Sequence, residues 1–174
     1  MKLAVTDACI FIELDQLSLT SLFFKLDIEV HTSVDVFNEL YTGQQELLRA
    51  YVAGKVLYIH SISSEERTLL NTGKFPAGLS QNDRTVLFLA EKLEAMVLST
   101  DKLVRSHAQK SALECHGMIW VFDMLIDAGV ISKEEASHKL RQMIGQNIIY
   151  QNNTKLLKET RIRLSAWKRK SNRL

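Results

Sequence analysis

Two short apolar segments, each running into an aspartate and then into a helical pattern, constrain this chain most. Leu3–Thr6 (LAVT) leads into Asp7, and Ala95–Ser99 (AMVLS) leads through Thr100 into Asp101. Segments this short and this apolar read as buried strands, since a strand covered on both faces has no polar face to show. Asp27–His31 alternates and Lys55–Ile59 is again short and apolar, so both are strand candidates. Helical periodicity fills the intervals. It runs over Ile10–Leu17, over Ser33–Tyr41 up to a stop at Gly43, over Gln44–Ala53 up to Gly54, and over Ser64–Leu70. Further helices are predicted over Gln81–Leu93 behind Ser80, Lys102–Leu113 and Ile119–Ala128, then over Lys133–Ile144 behind a Ser132/Glu135 capping box. Strands alternating with helices predict an α/β fold, a three-layer α/β/α sandwich with a central mainly parallel sheet.

With 174 residues, 46% hydrophobic and 24% charged, the chain has material for one core and hardly for two. The loop Asn71–Gly78, with Gly73 and the only proline, Pro76, reads as a surface connection. No apolar run approaches the roughly 18–20 residues that cross a bilayer, so no membrane is expected as a partner. Asp7 interrupts what would be the apolar core of a leader, and Cys9 and Cys115 form neither a disulfide framework nor a metal-ligand spacing. Cys9 is expected to pack behind the first strand, and a reducing cytoplasm is the expected location. The net charge of +2 hides a split: from Lys155 onward there are eight Lys or Arg and one acid, Glu159. Residues 1–154 then hold fourteen basic and nineteen acidic side chains. The division expected is a domain over 1–150 and a basic C-terminal helix or tail over 151–174. In that tail Trp167 either stacks on a nucleic-acid base or docks in the protein's own core.

In an open α/β sheet, ligands bind outside the carboxyl ends of the strands. Asp7 and Asp101 fall there, although each is also a natural N-cap for the helix that follows. Asp83 stands in the first turn of its helix, where the dipole favours a carboxylate. Glu39 lies in a helix four residues after Asp35, and the residues alone do not choose between those two acids. The five histidines show no zinc pattern, there is no phosphate-binding glycine loop, and the stripe Trp120, Phe122, Leu125, Ile126 reads as core or dimer face.

Taken in order, the strand ending at Asp7, Glu39 in a helix, LSQND ending at Asp83, and LSTDK with Asp101 resemble the PIN-domain ribonucleases. The likeness is to the VapC-type toxins of toxin–antitoxin pairs. It runs from about Met1 to Gly129 and includes Arg105 and HGMIWVFDMLIDAGVI; Ser99 stands where threonine is usual. The resemblance implies a metal-dependent endoribonuclease with Asp7, Glu39, Asp83 and Asp101 as catalytic residues and ligands of Mg²⁺ or Mn²⁺. Ser99, Thr100, Lys102 and Arg105 are candidates for substrate contact, and Arg84 is undecided. It also implies RNA as substrate, a cognate antitoxin and a homodimer. The alternatives are a PIN-like domain that binds RNA or protein without cutting, and an RNA- or DNA-processing nuclease with no antitoxin. The chemistry needs acids in this role because a bare carboxylate cluster repels a phosphodiester, whereas one holding a hard divalent cation attracts it.

Overall fold

The computed structural model describes residues 2–72 and 75–168. Gly73 of the predicted loop and Arg169, Lys170 and Arg173 of the basic tail lie outside the described residues. Strand β1 (Lys2–Thr6) is followed by α1 (Ala8–Gln16) and the short α2 (Thr20–Phe23). Strand β2 (Ile28–Ser33) leads through α3 (Val34–Glu39) and α4 (Thr42–Ala53) to β3 (Leu57–His60). Then come α5 (Ser64–Asn71), α6 (Gln81–Leu93), β4 (Met96–Leu98), α7 (Lys102–Lys110) and β5 (Cys115–His116). The C-terminal part is helical: α8 (Met118–Asp127), α9 (Lys133–Gln146), α10 (Ile148–Gln151) and α11 (Thr154–Lys168).

The strands form one sheet in the order β3-β2-β1-β4-β5, and every pairing in it is parallel. β1 is central: Ala4, Val5 and Thr6 lose all contact with solvent, and the Thr6 hydroxyl is buried with no hydrogen-bond partner among the described residues. Helix α6 packs on β1, β2 and β4, burying Val86, Leu87, Leu89 and Ala90. Helices α1, α2, α8 and α9 pack in succession to make the other layer, with Ile10, Leu14, Phe122, Leu125 and Leu140 in its core. The three-layer α/β/α sandwich is therefore the observed architecture.

A hydroxyl junction ties two of these helices to the sheet. Ser33 caps α3 by accepting from the Val36 amide at 3.0 Å, and its Oγ lies 2.7 Å from Thr85 Oγ1 on α6. Both residues are fully buried, so the pair satisfies groups that have no water to turn to. Ser33→Ala removes the cap and the link to Thr85, whose hydroxyl keeps only its bond to the Asn82 carbonyl at 2.7 Å. A loss of about 1–2 kcal/mol is expected in urea unfolding, and a loss below a few tenths would mean the junction is not structural.

Local punctuation differs from expectation at several points. Gly43 does not stop a helix; it lies inside α4, and α3 ends instead because Leu40 is extended, with φ −74° and ψ 147°. Gly54 closes α4 in ordinary right-handed geometry, and the next residue, Lys55, takes the positive φ of 56°. Gly129, with φ 66°, does end α8 in the left-handed region that glycine tolerates. Only half of the expected capping box at α9 is present: Ser132 accepts from the Glu135 amide, while no return bond joins Glu135 to Ser132 among the described residues.

Tertiary packing settles the two features left open in the C-terminal half. Trp167 is buried against Phe122, ring centroids 6.3 Å apart, and its Nε1 donates to Asp123 at 3.3 Å. Arg163 pairs with the same aspartate at 2.9 Å, so Trp167 anchors α11 to α8 and is not free to stack on a base. Phe122 and Leu125 are core, while Trp120 is half-buried and stacked on His116 at 4.5 Å. No helix among the described residues is long and apolar enough to cross a membrane.

Candidate active site

From β1 the chain builds β2 and β3 on one side and β4 and β5 on the other. Where the build direction reverses, the loops leaving neighbouring strands part and open a crevice. Asp7 leaves β1 at this point, and residues 99–101 leave β4 beside it; the Asp7 amide donates to the Leu98 carbonyl at 3.0 Å.

The Asp7 carboxyl is 5% exposed. Its Oδ1 accepts from the Ala8 amide at 2.7 Å, so it does cap α1. Its Oδ2 accepts from Ser99 Oγ at 2.7 Å and from Cys9 Sγ at 3.3 Å. Burial is the main cause that holds this carboxyl above the usual range; the hydrogen bonds from Ser99 and Cys9 pull it down, and the nearby negative charge of Asp83 raises it again. Asp7 and Asp83 are thus within electrostatic reach of each other. Ser99 is fully buried. While donating to Asp7, its hydroxyl accepts from the Asp101 amide at 3.1 Å, so one side chain links the two strand-end aspartates.

Asp83 is placed by its helix start. Its Oδ2 accepts from the Ser80 amide at 2.8 Å and its amide donates to Ser80 Oγ at 3.1 Å, a complete capping box. Asp101 is exposed and caps α7: Oδ1 accepts from the Leu103 amide at 2.8 Å and the Val104 amide at 3.0 Å. That leaves Oδ2 without a partner among the described residues. Glu39 is exposed at the end of α3 and makes no hydrogen bond or ion pair among the described residues. Asp35, its rival from the sequence, is held by Arg67 in a two-pronged pair at 2.9 and 3.0 Å. Among the described residues, no three His, Cys, Asp or Glu side chains already form a group that could hold one ion.

The candidate substrate contacts divide. Ser99 is too buried to meet a substrate and instead orients the two aspartates. Thr100 turns away from Asp101: its amide donates to Cys9 Sγ at 3.2 Å and its hydroxyl to Glu13 at 3.4 Å. Lys102 is exposed at the start of α7. Arg105 is also exposed, and its Nη1 donates to the Ser99 carbonyl at 3.1 Å. It can lie there because Gly117 has no side chain, since a Cβ at that position would sit 3.2 Å from the same nitrogen. Arg84 points elsewhere, to the Leu70 carbonyl at 3.4 Å.

Sequence reasoning overlooked the roles of Cys9, Glu13 and Tyr150. Cys9 does not simply pack behind the first strand; its sulfur touches Asp7, Ser99 and Thr100. Burial pushes its thiol up to about 12, so it stays a neutral donor. Its position two residues after Asp7, in the first turn of the capped helix, was the available signal. Glu13 and Tyr150 meet across the boundary between α1 and α10, a pairing no local pattern encodes.

The donor set fits a divalent cation in its chemistry. It consists of carboxylate oxygens, the hard ligands that Mg²⁺ and Mn²⁺ prefer. The mutual repulsion of Asp7 and Asp83 is of the kind that a cation offsets. The family model for the PIN domain (DUF3368) matches residues 3–161. This chain belongs to the PIN-domain family, whose members are generally nucleases that use divalent metals. A solved structure with a similar fold is a PilT N-terminus domain protein from the hyperthermophilic archaeon Sulfolobus solfataricus P2. The two chains are 12% identical with a TM-score of 0.47, over 71% of this chain and 93% of that one. No curated protein matches the chain.

Proposed function

We propose that this PIN domain is a Mg²⁺- or Mn²⁺-dependent endoribonuclease acting as the toxin of a toxin–antitoxin module, with a cognate antitoxin covering its acidic crevice. The observation that carries the catalytic part is the coupling at the switch point. Buried Asp7 feels the charge of Asp83 and shares Ser99 with Asp101. The toxin role and the homodimer rest on the sequence resemblance described above.

In this reading Asp7, Asp83 and Asp101 hold the ion, Glu39 approaches from the end of α3, and one of the helix-borne acids positions water. A divalent ion bound there supplies Lewis acidity and charge neutralisation at the phosphodiester. The chain's own contribution is preorganisation. Ser99 and Cys9 fix the Asp7 carboxyl with two donated hydrogen bonds, and the N-terminus of α7 fixes Asp101 through Oδ1, leaving Oδ2 without a partner among the described residues. Lys102 and Arg105 supply positive charge at the rim, where phosphate contacts position a strand without reading its sequence. Residues 1–150 would carry the nuclease and the basic segment 151–174 would accompany it, with Lys155, Lys158 and Arg161 of α11 exposed.

The direct test is cleavage of a mixed-sequence RNA by the purified chain with Mn²⁺ and with excess chelator. Internal cuts with metal and none with chelator are expected; equal cutting in both conditions would end the metal-site reading. RNA bound but never cut would favour a PIN domain that only binds. Growth arrest on expression, relieved by a neighbouring gene product, is the corresponding test of the toxin role. A milder expectation concerns Arg105. Arg105→Ala should weaken RNA binding severalfold for every sequence and reduce the slope of log K against log salt by about 1. An unchanged slope would mean Arg105 serves only the Ser99 carbonyl.

A further inference from the structure

Away from the crevice, α9 and α11 enclose a cavity of about 230 Å³ lined by Lys133, Glu134, Ser137, Arg141, Trp167 and Lys168. Cations outnumber acids in this lining, and Lys133, Lys168 and Glu134 make no side-chain hydrogen bond or ion pair among the described residues. Arg141 spends only Nη1, on the Ser137 carbonyl at 3.3 Å, and the rest of its guanidinium fork is unengaged. Ser137 is 8% exposed, and its hydroxyl has no partner among the described residues. A serine inside a helix commonly folds its hydroxyl back onto the carbonyl four residues earlier; this one does not. The orphaned hydroxyls of Thr20 and Thr160 are sealed from all solvent, whereas the Ser137 hydroxyl is not, and the space open beside it is the cavity.

We infer that this cavity seats one phosphate group of a nucleic-acid strand, held by Ser137, Arg141, Lys133 and Lys168. The inference rests on the nuclease reading above and says where the strand runs once it leaves the crevice. The chemistry of the lining is that of an anion site. A phosphate only accepts, and the cavity offers it a hydroxyl, two ammonium groups and a guanidinium able to make the two-pronged bond that arginine forms with phosphate. The Trp167 indole N–H is committed to Asp123, so that residue supplies an apolar wall and no donor. The volume is that of roughly seven waters at 30 Å³ apiece, ample for a phosphate.

Continuity with the crevice favours a nucleic-acid strand over an acidic protein segment. Tyr150 of α10 and Thr100 beside Asp101 both donate to Glu13 Oε1, so α10 adjoins the loop that carries Asp101. Helix α11 starts just beyond α10 and leads away from that corner to the cavity at its other end. Lys155, Lys158 and Arg161 are exposed on it at three-residue steps, with Lys168 two turns further on, which puts all four on one broad face. At 1.5 Å per residue α11 is about 22 Å long, the length of about six nucleotides at 3.4 Å apiece. The cavity is the far end of a basic track, and its buried serine makes it a seat where the rest of the track is open surface.

The experiment titrates the whole chain, in excess chelator so that nothing is cut, into a labelled mixed-sequence single-stranded RNA, with anisotropy read over a range of salt. Arg141→Ala, at an exposed position, should weaken binding about fivefold and reduce the slope of log K against log salt by roughly 0.7–1. Ser137→Ala removes no charge; it should weaken binding severalfold and leave the slope unchanged. Lys25→Ala, which removes an exposed charge outside the cavity, should change binding by less than a factor of about two. Equal effects of Arg141→Ala and Lys25→Ala, or wild-type affinity in Ser137→Ala, overturn the inference, because diffuse charge would then account for all the binding. Polyglutamate that binds more tightly than RNA and is lost in Arg141→Ala overturns it too, assigning the cavity to an acidic protein segment. RNA held through the cavity by a chain that never cuts it would sink the cleavage reading and keep the site. Metal-dependent cutting by a chain whose Arg141→Ala and Ser137→Ala variants bind RNA as wild type does would do the reverse.

Discussion

Asp7→Asn should reduce metal-dependent RNA cleavage by roughly 10²–10³-fold, the usual cost of removing one preorganised electrostatic group, without weakening the fold. The two halves of this expectation have one cause. The Asp7 carboxylate is buried, sits within reach of Asp83, and is held above its usual range by burial first. Asparagine keeps an acceptor for the Ala8 amide and removes the charge that burial opposes. Sites that store such strain for function commonly gain stability when the charged group is lost. Melting of the variant should therefore occur at or slightly above the wild-type temperature, by a shift corresponding to about 1 kcal/mol or less. Cleavage at the wild-type rate would remove Asp7 from the chemistry. A drop of many degrees would show that the substitution had damaged the fold, and the Ser99 and Cys9 donors to Oδ2 would be the first place to look.

The second large effect is on stability against pH. Glu13 has a folded-state pKa pushed from 4.5 to about 8 by burial, against the hydrogen bond from the Thr100 hydroxyl. A carboxyl with a raised folded pKa binds its proton more tightly in the native chain than in the unfolded one. Unfolding then releases a proton throughout the window between the two values. Stability contributed by this group is therefore greatest below about pH 4.5, declines as pH rises through the window, and levels off above about 8. At about 1.4 kcal/mol per unit, the full decline is of the order of 3–5 kcal/mol. Asp7 adds to it with the same sign, because its pKa is also raised. His60 works the other way: burial first, then His31 at 2.8 Å, lowers its pKa, so its contribution is lost as pH falls below about 6.5. Urea unfolding of wild type at about pH 6 and pH 9 should show the decline, and Glu13→Gln should remove most of it while raising stability at the alkaline end. A Glu13→Gln profile parallel to wild type would show that Glu13 is ionised at little cost, contrary to its burial.

Much of this was open to reading from local pattern. The strands ending at Asp7 and before Asp101 are apolar enough to be assigned without neighbours, and α6 begins and ends at the residues its periodicity indicated, Gln81 and Leu93. Ser80 and Asp83 form the box that their spacing allows. Where the reading failed, the deciding interaction was not local. Gly43 fits within α4 because Leu40 had already broken the preceding helix, and β5 is a two-residue strand that exists only because β4 offers it a partner. Cys9 is the exception: its contact with Asp7 comes from the geometry of a helix start capped by the same aspartate, and its place two residues later was the signal available.

The order of the four acids, the apolar strands before two of them and the helix beginning at Ser80 are written in the linear chain, because hydrophobic periodicity and capping act over a few residues. Which acids meet is decided by the sheet. Parallel pairing of β1 with β4 brings Asp7 and Asp101 to the two sides of Ser99 across 92 residues of sequence separation. The Ser33–Thr85 junction holds α6 on the sheet, with Asp83 in its first turn. The same packing assigns Asp35 to Arg67, leaves Glu39 in solvent, seats Trp167 under α8 and buries Glu13 beside a cavity. Burial and charge–charge coupling are properties of the assembled layers, and no short stretch of residues contains them.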